Sequence, residues 1–198
     1  RRVVTEMKDL ELAGICDYFL GAEQVDFKCP HYRNYEEAIE RIRPDIVFVC
    51  TPNRYSPDVC VYALEHGCHV FCEKPPGCNL ADVRRIAAAE QTHPGLKVMF
   101  GFNHRYHPAI LEAKSIVDAE RMGRILWLRG VYGKSGGMGQ EFERSWRNDP
   151  SISGGGILLD QGIHMLDLFR FFCGDFPEVQ GMLSTCYWNI PVEDNAFV

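Results

Sequence analysis

Residues 45–77 read DIVFVCTPNRYSPDVCVYALEHGCHVFCEKPPG, and they hold the repeating unit from which the fold follows. An apolar run at 46–50 opens the stretch and another at 69–72 closes it. Between them, residues 57–66 carry a helical pattern, with Pro57 at the start and Gly67 just past the end. Strands too apolar to alternate read as buried on both faces, and a helix joining two of them makes a parallel crossover.

The alternation continues outward in both directions. Residues 10–16 (LELAGIC) read as a strand ending at Asp17, 35–42 and 80–92 as helices, and 97–102 (KVMFGF) as a further strand. The expected class is α/β, with a parallel sheet covered by helices on both faces. Such sheets bind ligands beyond the carboxyl ends of their strands. Four clusters should line that rim: Asp17; Thr51, Pro52 and Asn53; Glu73, Lys74, Pro75 and Pro76; and Asn103, His104, Arg105 and Tyr106.

Past Asn103 the pattern changes. A helix at 108–119 precedes a longer strand at 124–133 (RILWLRGVYG), a glycine-rich loop at 134–153, a helix at 154–169 and a strand at 179–188. This order predicts a second, α+β unit with an open, mainly antiparallel sheet, dividing the chain into residues 1–103 and 104–198.

With 198 residues, 46% of them hydrophobic, the chain can bury a real core as one large domain or two small ones. A formal charge of -6 and a pI near 5.6 argue against nucleic acid or an anionic membrane as partner. Nine cysteines, an odd number without a C-x-x-C pair, are expected to be buried free thiols in a reducing cytoplasm. No run approaches the ~20 apolar residues of a membrane span.

The helix at 154–169, GGGILLDQGIHMLDLF, sets Asp160, His164 and Asp167 into an apolar sequence. At about 100° per residue these three lie within roughly 60° of one another. So narrow a polar strip on an otherwise apolar helix should line a cleft. A catalytic Asp and His, a metal site, and a core histidine satisfied by a carboxylate all remain open, although no further ligand cluster in zinc spacing supports a metal.

The series CTPN at 50–53, ALEHGCHVFCEKPPG at 63–77, GFNHRYHPA at 101–109, SWRNDP at 145–150 and GGGILLDQGIHMLD at 154–167 resembles the glucose-fructose oxidoreductase, inositol dehydrogenase and rhizopine-catabolism family of NAD(P)-dependent enzymes. The resemblance implies a Rossmann domain for the dinucleotide and an α/β domain that supplies the other wall of the active site. It implies catalytic roles for Lys74, Asp160 and His164, with Lys74 touching nicotinamide and substrate hydroxyl. Thr51, Pro52, Asn53, Glu73, Lys74 and Asn103 fall on the cofactor side; Tyr106, Trp146, Arg147 and Asp160 fall on the substrate side.

The residue types suit that chemistry independently. Oxidising a secondary alcohol removes its hydroxyl proton, which a histidine titrating near neutrality can take and return. An ammonium such as that of Lys74 stabilises the developing alkoxide, and Asp160 can fix a hydroxyl. Asp17, closing a strand, would bond the adenosine ribose and favour NAD over its 2′-phosphorylated form, without excluding NADP.

The expected function is therefore hydride transfer between nicotinamide and a hydroxyl or keto carbon of a sugar, cyclitol or nucleotide sugar, in a homodimer or homotetramer. Two other classes stand beside it: an NAD-using glycosidase and a non-catalytic dinucleotide-binding sugar sensor. The sequence contains no G-x-G-x-x-G turn after a strand, and it stops where further strands are expected, so it reads as an internal part of a longer polypeptide.

Overall fold

The computed structural model describes residues 2–18, 29–133 and 143–198, with side-chain surroundings from residue 4 onward. Of the predicted loop at 134–153, residues 134–142 lie outside the described residues, and the remainder is not all loop, since it carries two short helical turns.

The first half is built on parallel strands. After a short helix α1 (Arg2–Glu6), strand β1 (Ile15–Cys16) pairs with β2 (His31–Tyr32). Helix α2 (Tyr35–Ile42) leads to β3 (Ile46–Val49), α3 (Ser56–Glu65), β4 (His69–Cys72), α4 (Leu80–Thr92) and β5 (Val98–Phe100). The last three strands form one parallel sheet in the order β3-β4-β5. The βαβ unit read from residues 45–77 is present.

Local chemistry sets the helix ends. Asn34 accepts the Glu37 N–H at 2.7 Å to start α2, and Asn79 accepts the Asp82 N–H at 3.1 Å to start α4. Gly67, at φ +80°, takes the left-handed turn that returns the chain from α3 toward β4. Behind the sheet a single apolar cluster gathers Ile39, Val49, Val59, Cys60, Ala63, Leu64, Cys68, Val70, Cys72 and Ile86.

Two expectations for this half need correction. The strand at 10–16 narrows to Ile15–Cys16, because only there does the backbone meet a partner, through Ile15 N–H to Pro30 O and Asp17 N–H to Tyr32 O. Among the described residues, moreover, one face of the sheet is only partly covered: Ile46, Phe48 and Met99 project from it and stay exposed. A continuous apolar run cannot distinguish a strand covered twice from one covered once.

The second half follows a 3₁₀ turn at Asn103–Tyr106 with α5 (Pro108–Asp118), a second 3₁₀ turn at Trp146–Asn148, and α6 (Pro150–Ser153). A π-turn at Leu158–Gly162 then runs directly into α7 (Ile163–Cys173). Strands β6 (Met182–Ser184) and β7 (Asn195–Phe197) pair antiparallel. Two differences stand out from the expected antiparallel sheet. The strand at 179–188 contracts to three residues, and 124–133 forms no strand, because among the described residues no strand offers it a ladder. It instead passes over α7, where a Cβ on Gly130 would meet Met165 Cε at 2.2 Å. Among the described residues no helix is long and apolar enough to cross a membrane.

Candidate functional site

The carboxyl ends of β4 and β5 face the polar strip of the π-turn and α7. From the loop after β4, whose Lys74-Pro75 peptide is cis, the Lys74 ammonium donates to the backbone carbonyl of Asp160 and to its Oδ1 at 3.3 Å. Asp160 also accepts Gln161 Nε2 at 2.8 Å and lies 3.7 Å from Arg147 Nε. Burial pushes the Asp160 carboxyl up, but the Gln161 hydrogen bond and the Lys74 and Arg147 charges outweigh it, so the group stays ionised below its ordinary range. The Arg147 guanidinium rests 4.5 Å above the Trp146 ring.

One turn further, His164 is buried at 5% exposure. Its ring stacks on that of His104, with centroids 4.0 Å apart and planes 13° from parallel, while Phe102 meets it edge-on at 6.3 Å. Its Nδ1 is buried without a hydrogen-bond partner among the described residues. Burial first, then the charges of His104 and Lys74, hold its pKa down at about 4 against the opposing pull of Asp167 and Asp160. This imidazole is therefore held neutral at pH 7, well below the ordinary histidine range.

Asp167 is no partner of His164 either, because Arg105 grips it with Nε at 2.7 Å and with a second nitrogen on the other oxygen. The Arg105 guanidinium in turn lies over Phe171 at 5.2 Å. The reading of a core histidine satisfied by a carboxylate therefore fails, since both carboxylates are bound to cations. Among the described residues no group of three or more His, Cys, Asp or Glu is placed to hold a metal.

The strip is held in place from two directions. The Glu193 carboxylate accepts the N–H groups of Gly156 at 2.8 Å and Leu158 at 3.1 Å, and its carbonyl accepts that of Ile157 at 2.9 Å. A carboxylate at this end complements the helix dipole. A Cβ on Gly156 would fall 2.0 Å from Glu193 O, and one on Gly154, at φ +79°, would fall 2.4 Å from Cys78 O. On the other side, Asn53 Nδ2 donates to Ser153 O at 2.7 Å and Cys78 Sγ to Ile152 O at 3.2 Å. These contacts fasten the strand-end loops to the second half.

The remaining expected residues fall around this centre. Asp17 follows β1, which pairs with β2 in a sheet separate from β3-β4-β5, and the Thr51 and Ser56 hydroxyls share a hydrogen bond at 3.0 Å. Asn53 is 5% exposed with its amide engaged by Ser153. Glu73 accepts the Lys74 N–H at 3.3 Å; Asn103 opens the 3₁₀ turn and Tyr106, exposed, closes it. Sequence reasoning placed His104 on the rim but gave it no role, and it missed Glu193 altogether. Glu193 lies in no motif, so only the fold reveals it.

Residues 1–102 match the family model described as "Oxidoreductase family, NAD-binding Rossmann fold", and residues 110–198 match the GFO/IDH/MocA C-terminal domain. Levoglucosan dehydrogenase from Pseudarthrobacter phenanthrenivorans is 34% identical over 144 residues, 72% of this chain and 37% of that protein. D-glucoside 3-dehydrogenase from Escherichia coli is 30% identical over 190 residues, 92% of this chain and 52% of that protein. The crystal structure of myo-inositol 2-dehydrogenase from Lactobacillus plantarum superposes with a TM-score of 0.80 at 31% identity, covering 92% of this chain and 54% of that one. The chain spans about half the length, or less, of these relatives.

Proposed function

The chain belongs to the GFO/IDH/MocA oxidoreductase family, and from that premise we propose that the protein transfers a hydride between NAD and a secondary hydroxyl or keto carbon of a sugar or cyclitol. The observation carrying this is the convergence on one rim of the Lys74 ammonium, the Asp160 carboxylate and a neutral, unpartnered His164.

The groups present fit the cofactor and substrate, since a buried ring nitrogen with no protein partner beside an ammonium suits a polar ligand. Thr51, Pro52, Asn53, Glu73, Lys74 and Asn103 would hold the nicotinamide end, and Asp17 the adenosine ribose, where its charge disfavours a 2′-phosphate. Tyr106, Trp146, Arg147 and Asp160 would receive the sugar. Bound there, NAD supplies the hydride acceptor. His164 takes the hydroxyl proton, Lys74 steadies the charge developing on that oxygen, and Asp160 keeps the Lys74 ammonium aimed.

We assign residues 1–103 to the cofactor domain and 104–198 to the substrate domain, which would also carry a dimer or tetramer contact. All nine cysteines are free, which suits a reducing cytoplasm, but the expectation of buried thiols is corrected: only Cys60, Cys68 and Cys72 are buried, while Cys16, Cys50, Cys173 and Cys186 are exposed. The test is turnover on a sugar and polyol panel, followed by nicotinamide absorbance. Lys74→Ala and His164→Ala should each lose about a hundredfold or more in kcat with unchanged unfolding curves. Wild-type turnover in both would sink the assignment.

A further inference from the structure

His104 has no role in the reaction as described, yet its ring covers the face of His164. It stands in the 3₁₀ turn after β5, and its neighbour Arg105 is fastened to Asp167, three residues beyond His164 on α7. Two successive residues of one turn therefore hold two residues of one helix, one by ring stacking and one by a forked ion pair. Tyr132 closes the group at 5.7 Å from His104 and 6.5 Å from His164. An exposed histidine could stack anywhere; this one is fixed in register by the residue beside it.

Resting on the reading of His164 as proton acceptor, we propose that His104 is a positioning residue, which fixes the plane of the His164 ring toward the substrate hydroxyl by stacking on it. The stack also adds a charge-dependent effect. The groups around His164 are Lys74 from the β4 loop, His104 and Arg105 from the 3₁₀ turn, Asp160 from the π-turn, Asp167 on its own helix, and Tyr132. Arg105 and Asp167 neutralise each other, and Asp160 is matched by Lys74 and Arg147. Against the ring face itself, a proton on His104 opposes a proton on His164.

Two variants of the intact protein separate ring from charge. His104→Phe keeps a flat ring and removes the charge; His104→Ala removes both. In the first, the His164 titration followed by NMR of histidine-labelled protein should rise above its wild-type value while burial and Lys74 keep it below the ordinary histidine range, with kcat close to wild type. In the second, kcat should fall roughly tenfold to a hundredfold while KM for nicotinamide cofactor holds, because the acceptor ring is no longer aimed. Wild-type kcat in His104→Ala, or an unmoved His164 titration in His104→Phe, overturns the proposal. His164→Ala measured alongside tells the two failures apart. If it is inactive beside a fully active His104→Ala, His104 alone loses its role; if it turns over normally, the reaction assigned to the site falls as well.

Discussion

The two halves of the chain hold themselves together by different means. In the first, ten buried residues from α2, β3, α3, β4 and α4, with their flanking turns, make one continuous apolar cluster behind the sheet. In the second, the buried apolar residues among those described are Leu168 and Val192, while Leu126, Trp127, Val131, Met182, Tyr187 and Phe197 are largely exposed. What order it has comes from polar fastenings: Arg105 on Asp167, Glu193 on the entry to the π-turn, and Asp194 accepting three successive N–H groups from Cys186 to Trp188. Among the described residues, then, the first half carries its own hydrophobic core and the second leaves its large apolar side chains exposed.

Stability measurements can sharpen or break this contrast. The largest effect belongs to Leu64→Ala, fully buried in α3, which should cost about 3 kcal/mol in denaturant unfolding. Arg105→Ala comes next, at about 2 kcal/mol. That is less than the roughly 3–5 kcal/mol of a fully buried pair, because the Arg105 side chain is 37% exposed while Asp167 is left behind at 8%. Smallest is Leu126→Ser, 85% exposed, which should shift stability by less than about 0.5 kcal/mol. Should Leu126→Ser instead rival Leu64→Ala, that leucine is covered in solution and the contrast between the halves dissolves; a concentration-dependent loss would identify a second copy as the cover.

The same contrast explains what the sequence revealed. Strands and helices between residues 35 and 100 were legible to within about two residues, since continuous apolar runs separated by helical patterns set their order, and the structure ends those helices with Asn caps at 34 and 79 and the turn at Gly67. The strand expected at 124–133 was not formed, because strand-forming residues need a ladder and none is present among the described residues. At the site, Lys74, Asp160 and His164 do come together, but the strip differs from the regular helix assumed for it. A π-turn carries Asp160, and each polar residue faces its own partner: Lys74 with Arg147, then His104, then Arg105. No local pattern gives the depressed pKa of His164 or the reach of Glu193, since both depend on residues distant in the chain.

The grip of Glu193 on the glycine-lined entry of the π-turn also sets a timetable. A chain leaves the ribosome amino end first, so β3, β4 and β5 can pair and bury their cluster early. Gly156, Ile157 and Leu158 cannot receive their acceptors until residue 193 has emerged. During synthesis the sheet of β3, β4 and β5 can therefore form before the entry to the π-turn has its acceptors, and that entry is the last of the described fastenings around Asp160 to close.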